Sequence, residues 1–130
     1  AKEHTMKKYP IFFILCLLAT FSATTFAQSN RDLSGSYWVQ GTNPGGTGTY
    51  KGIATIVKSG EVYRIHWEVG TTYDGIGKFQ DNTFQVEWGT SKENVGSVTY
   101  KLQADGSLKG TWFVAKNPGV LGTETLTPKK

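Results

Sequence analysis

Residues 63–70 read YRIHWEVG. Tyr63, Ile65, Trp67 and Val69 share one parity, and Arg64, His66 and Glu68 share the other. A period of two is the mark of a β-strand with one dry face and one wet face. From Leu33 onward the same alternation recurs between clusters of Gly, Asn, Asp and Pro, and no stretch carries the 3.6-residue period of a helix. The pattern predicts eight strands, near 34–41, 48–58, 61–69, 72–79, 82–89, 95–103, 107–115 and 121–127. Every connection is short, so consecutive strands are antiparallel neighbours. Left open, such a meander has two long unpaired edges, and closure removes both. The expected fold is therefore all-β, an eight-stranded antiparallel up-and-down barrel, with a two-sheet β-sandwich as the alternative.

The connections fall into two classes. Ser59-Gly60, Asp81-Asn82 and Asp105-Gly106 read as tight hairpin turns that need positive φ. The segments 43–48, 70–72, 89–94 and 116–119 are longer and rich in Gly, Asn, Pro and Thr. In a meander these classes alternate, so one end of the barrel is pinched and the other is ringed by loops. The four tryptophans, Trp38, Trp67, Trp88 and Trp112, all sit on strands running toward the loop-rich end. Tyr50 and Tyr73 start the returning strands. Parity groups Trp67, Trp88 and Trp112 with apolar neighbours, so an inward belt of indoles and phenols is expected near the wider mouth. Gly52, Gly75, Gly77 and Gly110 share that inward parity. Glycine there either relieves crowding between rings or kinks the strands. A barrel of this strand number is just wide enough to be filled by side chains or to hold one small ligand. The belt fits both: a packed core, or a shallow pocket floored by tryptophan under polar loops.

The domain begins after a leader. Met6-Lys7-Lys8 precedes the apolar run 11–18, and Thr25-Phe26-Ala27 places small residues where a signal peptidase reads. This is the pattern of a secretory signal cleaved after Ala27, and the apolar run is short for a membrane span. Residues 1–5 precede Met6 and are set aside. Residues 1–27 are thus expected to be upstream residues plus signal, and 28–130 a single barrel domain, secreted or periplasmic. Cys16, the one cysteine, lies in the leader, so no disulfide or thiol chemistry is expected beyond it. The formal charge of +4 is raised by the leader, and no basic block follows it. Nucleic acid is a poor partner for such a chain.

LSGSYWVQG at the first strand and GTETLTP at the last resemble the openings and closings of avidin-like and lipocalin-like barrels. The runs TYKGIATIVKSGEVYRIHWEVG, DGIGKF, DGSLKGTWF and GTETL resemble a group of small secreted bacterial β-proteins, some of them labelled fibronectin-binding. The resemblance covers nearly all of 33–127. It implies a secreted barrel that binds something outside the cytoplasm, and it implies no reaction. The polar residues that hold biotin in avidin have no positional match, so none is carried over.

Catalytic groups are sparse. His66 is the one histidine after the leader and falls on the polar parity. One histidine and no cysteine do not make a zinc site. No G-x-S-x-G elbow is present. Glu68, Glu87 and Asp74 take the outward parity, where cross-strand charge pairs are ordinary. The NPGGTG loop lacks the Lys-Ser/Thr and following helix of a phosphate loop. No catalytic residue, cofactor or metal is expected.

Two functions remain. The first is a non-catalytic binding module holding a small hydrophobic or aromatic ligand, or a sugar. Trp38, Trp67, Trp88 and Trp112 would form its walls, Tyr50 and Tyr73 would offer hydroxyls, and Asn43, Thr71, Thr90 and Asn117 would make loop contacts. The second is a protein-interaction module, a matrix adhesin or a periplasmic protease inhibitor, working through its loops or an outer apolar patch. Tyr37, Val39, Ile53, Val57, Phe113 and Leu126 are expected to face outward on adjoining strands, where they would form a homodimer or partner interface. Single exposed apolar residues are also common on strands.

Overall fold

The computed structural model of the chain describes residues 31–89, 91 and 94–130. The expected leader and Thr90 lie outside the described residues. From Asp32 onward the chain forms one compact unit. It contains β1 (Gly35–Thr42), β2 (Thr49–Ser59), β3 (Val62–Glu68), β4 (Thr72–Gln80), β5 (Thr83–Gly89), β6 (Val95–Leu102), β7 (Leu108–Val114) and β8 (Gly122–Pro128). Each strand pairs antiparallel with the next, and β8 pairs back to β1 through Tyr37↔Pro128 to Thr42↔Thr123. The sheet is a closed eight-stranded up-and-down barrel, the expected fold rather than the alternative two-sheet sandwich.

The expected division of the connections holds in part: β2–β3 and β4–β5 are joined by tight turns, whereas the β6–β7 connection, 103–107, is longer than the β3–β4 one, 69–71. Asp81 and Asn82 have φ of 54° and 61° between Gln80 and Thr83. Two consecutive positive φ angles match the right-handed twist of the flanking strands, and Asp and Asn tolerate them. The β2–β3 turn sits one residue later than expected, at Gly60-Glu61 between paired Ser59 and Val62. Gly60 supplies the positive φ at its first position. The β6–β7 turn closes with Gly106 N–H on Gln103 O at 3.0 Å and Gln103 N–H on Ser107 O at 2.8 Å.

The pinched end is plugged from outside the sheet. Leu33, ahead of β1, is buried in the core cluster. Its carbonyl accepts from the Tyr37 hydroxyl at 2.6 Å, and its N–H donates to the Tyr63 hydroxyl at 3.4 Å. Above it the interior is filled by Ile56, Ile65, Phe84, Val86, Tyr100, Leu108 and Leu126, all essentially inaccessible. Phe84 stacks on Tyr100 at 5.9 Å and meets Tyr63 edge-on at 5.8 Å.

Two strands have the opposite facing to that expected. On β1, Tyr37 and Val39 are buried and Trp38 is 54% exposed. On β8, Leu126 is buried and shares its face with Glu124. Tyr37, Val39 and Leu126 are therefore core residues and belong to no outer patch. Ile53, Val57 and Phe113 keep the outward parity, with Val57 exposed and the other two half-buried. The physical reason lies in the opposite faces. Ser36, Gln40 and Thr42 accompany Trp38, and Thr123, Thr125 and Thr127 occupy the outer face of β8. Those polar side chains belong in water, and the parity of a whole strand follows them.

Candidate functional site

The loop-rich half of the barrel is hollow. An open cavity of about 340 Å³ is lined by Asn43, Tyr50, Trp67, Val69, Thr71, Tyr73, Trp88, Asn94, Val98, Trp112, Val114 and Glu124. Seven of the expected contact residues are in that lining: Trp67, Trp88, Trp112, Tyr50, Tyr73, Asn43 and Thr71. Trp38 is not. It stands on the outer surface, with Lys129 Nζ 4.4 Å from its ring centroid. Asn117 is exposed in the β7–β8 connection and does not line the cavity. Asn94, Glu124 and the three valines join without having been expected.

The rings form a connected arc. Tyr73 meets Trp88 edge-to-face at 5.5 Å, Trp88 meets Trp112 at 5.9 Å, and Trp112 meets Tyr50 at 6.2 Å. Edge-to-face pairing sets the positive edge of one ring against the negative face of the next. Each of three mouth rings also lies over the glycine paired with it on the neighbouring strand: Trp88 over Gly96, Trp112 over Gly122, and Tyr50 over Gly41. A Cβ at those positions would come within 2.6, 2.7 and 2.3 Å of the ring atoms. Glycine is what lets these side chains lie against the wall and leave the centre open. Trp112 is further fixed by its Nε1–H, which donates to Thr42 O at 3.2 Å.

Glu124 forms the floor, at the boundary between the filled and hollow halves. Its ladder partners are Gly41 on β1 and Gly110 on β7, over which the rings of Tyr50 and Tyr100 lie. It is 6% exposed. Oε1 accepts from the Tyr50 hydroxyl at 2.8 Å, and Oε2 accepts from Trp67 Nε1–H at 3.0 Å and from the Tyr100 hydroxyl. Burial pushes the carboxyl above its ordinary value, and the donors from Tyr100, Tyr50 and Trp67 pull the other way. Burial raises both phenols as well, and the negative charge of Glu124 beside them adds to it. The unit is thus a buried carboxyl group that accepts from two phenols, which stay protonated, and from an indole N–H. It can accept a hydrogen bond or a positive charge from a bound molecule.

The loops contribute edges to this mouth. Asn43 starts the turn Pro44–Gly46 and is held by its N–H on Gly48 O at 2.8 Å. Thr71 closes a three-residue loop in which Val69 N–H donates to Thr71 O at 2.9 Å across Gly70, φ 93°. On the outside, His66 pairs with Asp74 at 2.7 Å in solvent, as its parity requires. No group of three or more His, Cys, Asp and Glu is placed to hold a metal among the described residues.

The sequence signal for Glu124 was present. Gly122, Glu124 and Leu126 share one parity against three threonines, and Leu126 inward brings Glu124 with it. No protein-family model matches the chain, and no curated protein matches it.

Proposed function

We propose that the protein is a secreted or periplasmic non-catalytic binding module that holds one small molecule in the aromatic mouth of its barrel. The observation that carries this is the division of the interior: packed below Glu124 and open above it, with five aromatic rings on the lining. A barrel whose only task is stability gains from filling its interior, because voids forfeit dispersion contacts. Here bulky rings are instead seated over glycines at the walls. The cavity lies within the range of small-molecule sites, which begins at roughly 300 Å³, and it combines apolar walls with few, converging polar groups. The leader-like segment ahead of the barrel supports an extracytoplasmic setting.

Tryptophan emission during a screen of small aromatic compounds tests this reading. A ligand in the mouth shifts the emission, because Trp67, Trp88 and Trp112 line it. If no compound moves the emission, and Trp67→Phe alters only stability, the reading fails.

A second reading is favoured by one observation, the exposed indole of Trp38 beside Ile53 across the β1–β2 ladder. Large exposed apolar side chains mark contact surfaces when they are contiguous. A protein partner or second copy seated there would leave the cavity uninvolved. Sedimentation of the wild type and Trp38→Ser separates the two copies' contact from monomer: loss of a dimer in the variant supports it, and a monomeric wild type counts against it.

A further inference from the structure

We propose that the molecule held in this mouth is a small organic monocation, an alkylammonium or guanidinium group on an apolar or aromatic body, with its charge seated on Glu124 and its body among the indoles. This rests on the reading of the mouth as a ligand site and names the chemistry that site selects.

The first argument is the count of acceptors. A carboxylate offers about four lone-pair positions. Oε2 is filled by Trp67 and Tyr100, and among the described residues Oε1 accepts from Tyr50 alone. Tyr50 lines the cavity, whereas Tyr100 is wholly buried beneath it. Oε1, the oxygen with an accepting position left, is held by Tyr50 of the mouth, whereas Oε2 is shared between Trp67 of the mouth and the buried Tyr100. The second argument is charge. The groups facing Glu124 are Tyr50 from β2, Trp67 from β3 and Tyr100 from β6, and all are neutral donors. Among the described residues no Lys, Arg or His pairs with it. A buried carboxylate without a counter-charge is costly, and a cation arriving from the open side supplies what the protein leaves out. The third argument is the walls. The faces of Trp and Tyr attract cations, most strongly where water is excluded. An anion meets its own sign in both the floor and the ring faces of the walls. A neutral molecule gains a hydrogen bond on Oε1 and nothing toward the missing charge.

The test uses three probes of one shape: phenethylamine, 2-phenylethanol and 3-phenylpropanoate, which are cationic, neutral and anionic near neutral pH. Each is titrated calorimetrically into the full barrel. Phenethylamine is expected to bind about tenfold or more tighter than 2-phenylethanol, as a charge-assisted hydrogen bond exceeds a neutral one, and 3-phenylpropanoate is expected to bind weakest. In Glu124→Gln the cation-over-neutral ratio is expected to fall toward one. Should that variant not fold, the wild type supplies the same comparison. The ratio must shrink as pH falls through the titration of Glu124, because phenethylamine stays charged and the facing phenols and indole do not titrate in that range. Equal or tighter binding of the neutral or anionic probe overturns the cation assignment and leaves the mouth as a ligand site. So does a ratio indifferent to both Glu124→Gln and pH. If none of the three binds and none moves tryptophan emission, both the assignment and the reading it rests on fall.

Discussion

Glu124 is the residue on which the site's physics turns. Each hydrogen bond it accepts from Tyr50, Tyr100 and Trp67 is of the charged type, worth about 1.5–3 kcal/mol when the acceptor is ionised. Burial works against that ionised form and raises the folded-state pKa above the ordinary 4.5. The sign of the linkage follows. In the window from 4.5 up to the folded value, the folded state binds more protons than the unfolded one. Stability from this group therefore declines as pH rises through that window and levels off above it. Denaturant melts across the acid range are expected to show this slope as the difference between wild type and Glu124→Gln. Asp32 and Asp105, both lowered by hydrogen bonds to Ser34 and Ser107, contribute the opposite slope equally to both proteins. A difference curve that is flat, or that rises with pH, contradicts the assignment. Tyr100→Phe removes one donor from the buried carboxylate and is expected to destabilise by about 1–3 kcal/mol, more at neutral than at acid pH.

At the scale of the strand, alternation made most of the fold legible and failed where a tryptophan misled. YRIHWE on β3 carries its facing clearly, because Tyr63, Ile65 and Trp67 of one parity are apolar and Arg64, His66 and Glu68 of the other are charged or imidazole. β1 carries Trp38 on its polar parity, and an expected repeat of inward tryptophans outweighed Ser36, Gln40 and Thr42. β8 has a single large apolar residue, Leu126, and the facing of a lone leucine is decided only by its threonine neighbours and the register with β7. Because a one-residue error flips every side chain of a strand, that ambiguity hid Glu124 and with it the floor of the cavity. The choice between a filled and a hollow interior was not legible at all. It depends on which glycine faces which ring across the ladder, and that is a matter of register. Gly96→Ala tests this pairing. Its Cβ would meet Phe113 O at 2.0 Å and Trp88 at 2.6 Å. Overpacking of this kind costs about 1–3 kcal/mol. A thermal melt unchanged by the substitution would mean that Trp88 does not lie on that wall.

At the scale of the whole barrel, the packed core and the open cavity occupy opposite ends. The pinched half holds the packed residues and the Leu33 plug, and the open half holds rings that remain partly exposed. Phe84→Ala, in the packed half, is expected to cost about 3–5 kcal/mol. Trp88→Ala, at the mouth, is expected to cost clearly less and to remove binding, since its ring is half-buried and faces the cavity. Similar costs at the two sites in denaturant titration would argue against the division. The most direct test of that division reads all four indole N–H signals at once by nuclear magnetic resonance while phenethylamine is added. Trp67, Trp88 and Trp112 line the cavity and Trp38 stands outside it. The three inner signals are expected to shift together with a common saturation, Trp67 through its bond to Glu124, while Trp38 stays still. Movement of Trp38 with or instead of the others would place binding on the exterior and contradict the account.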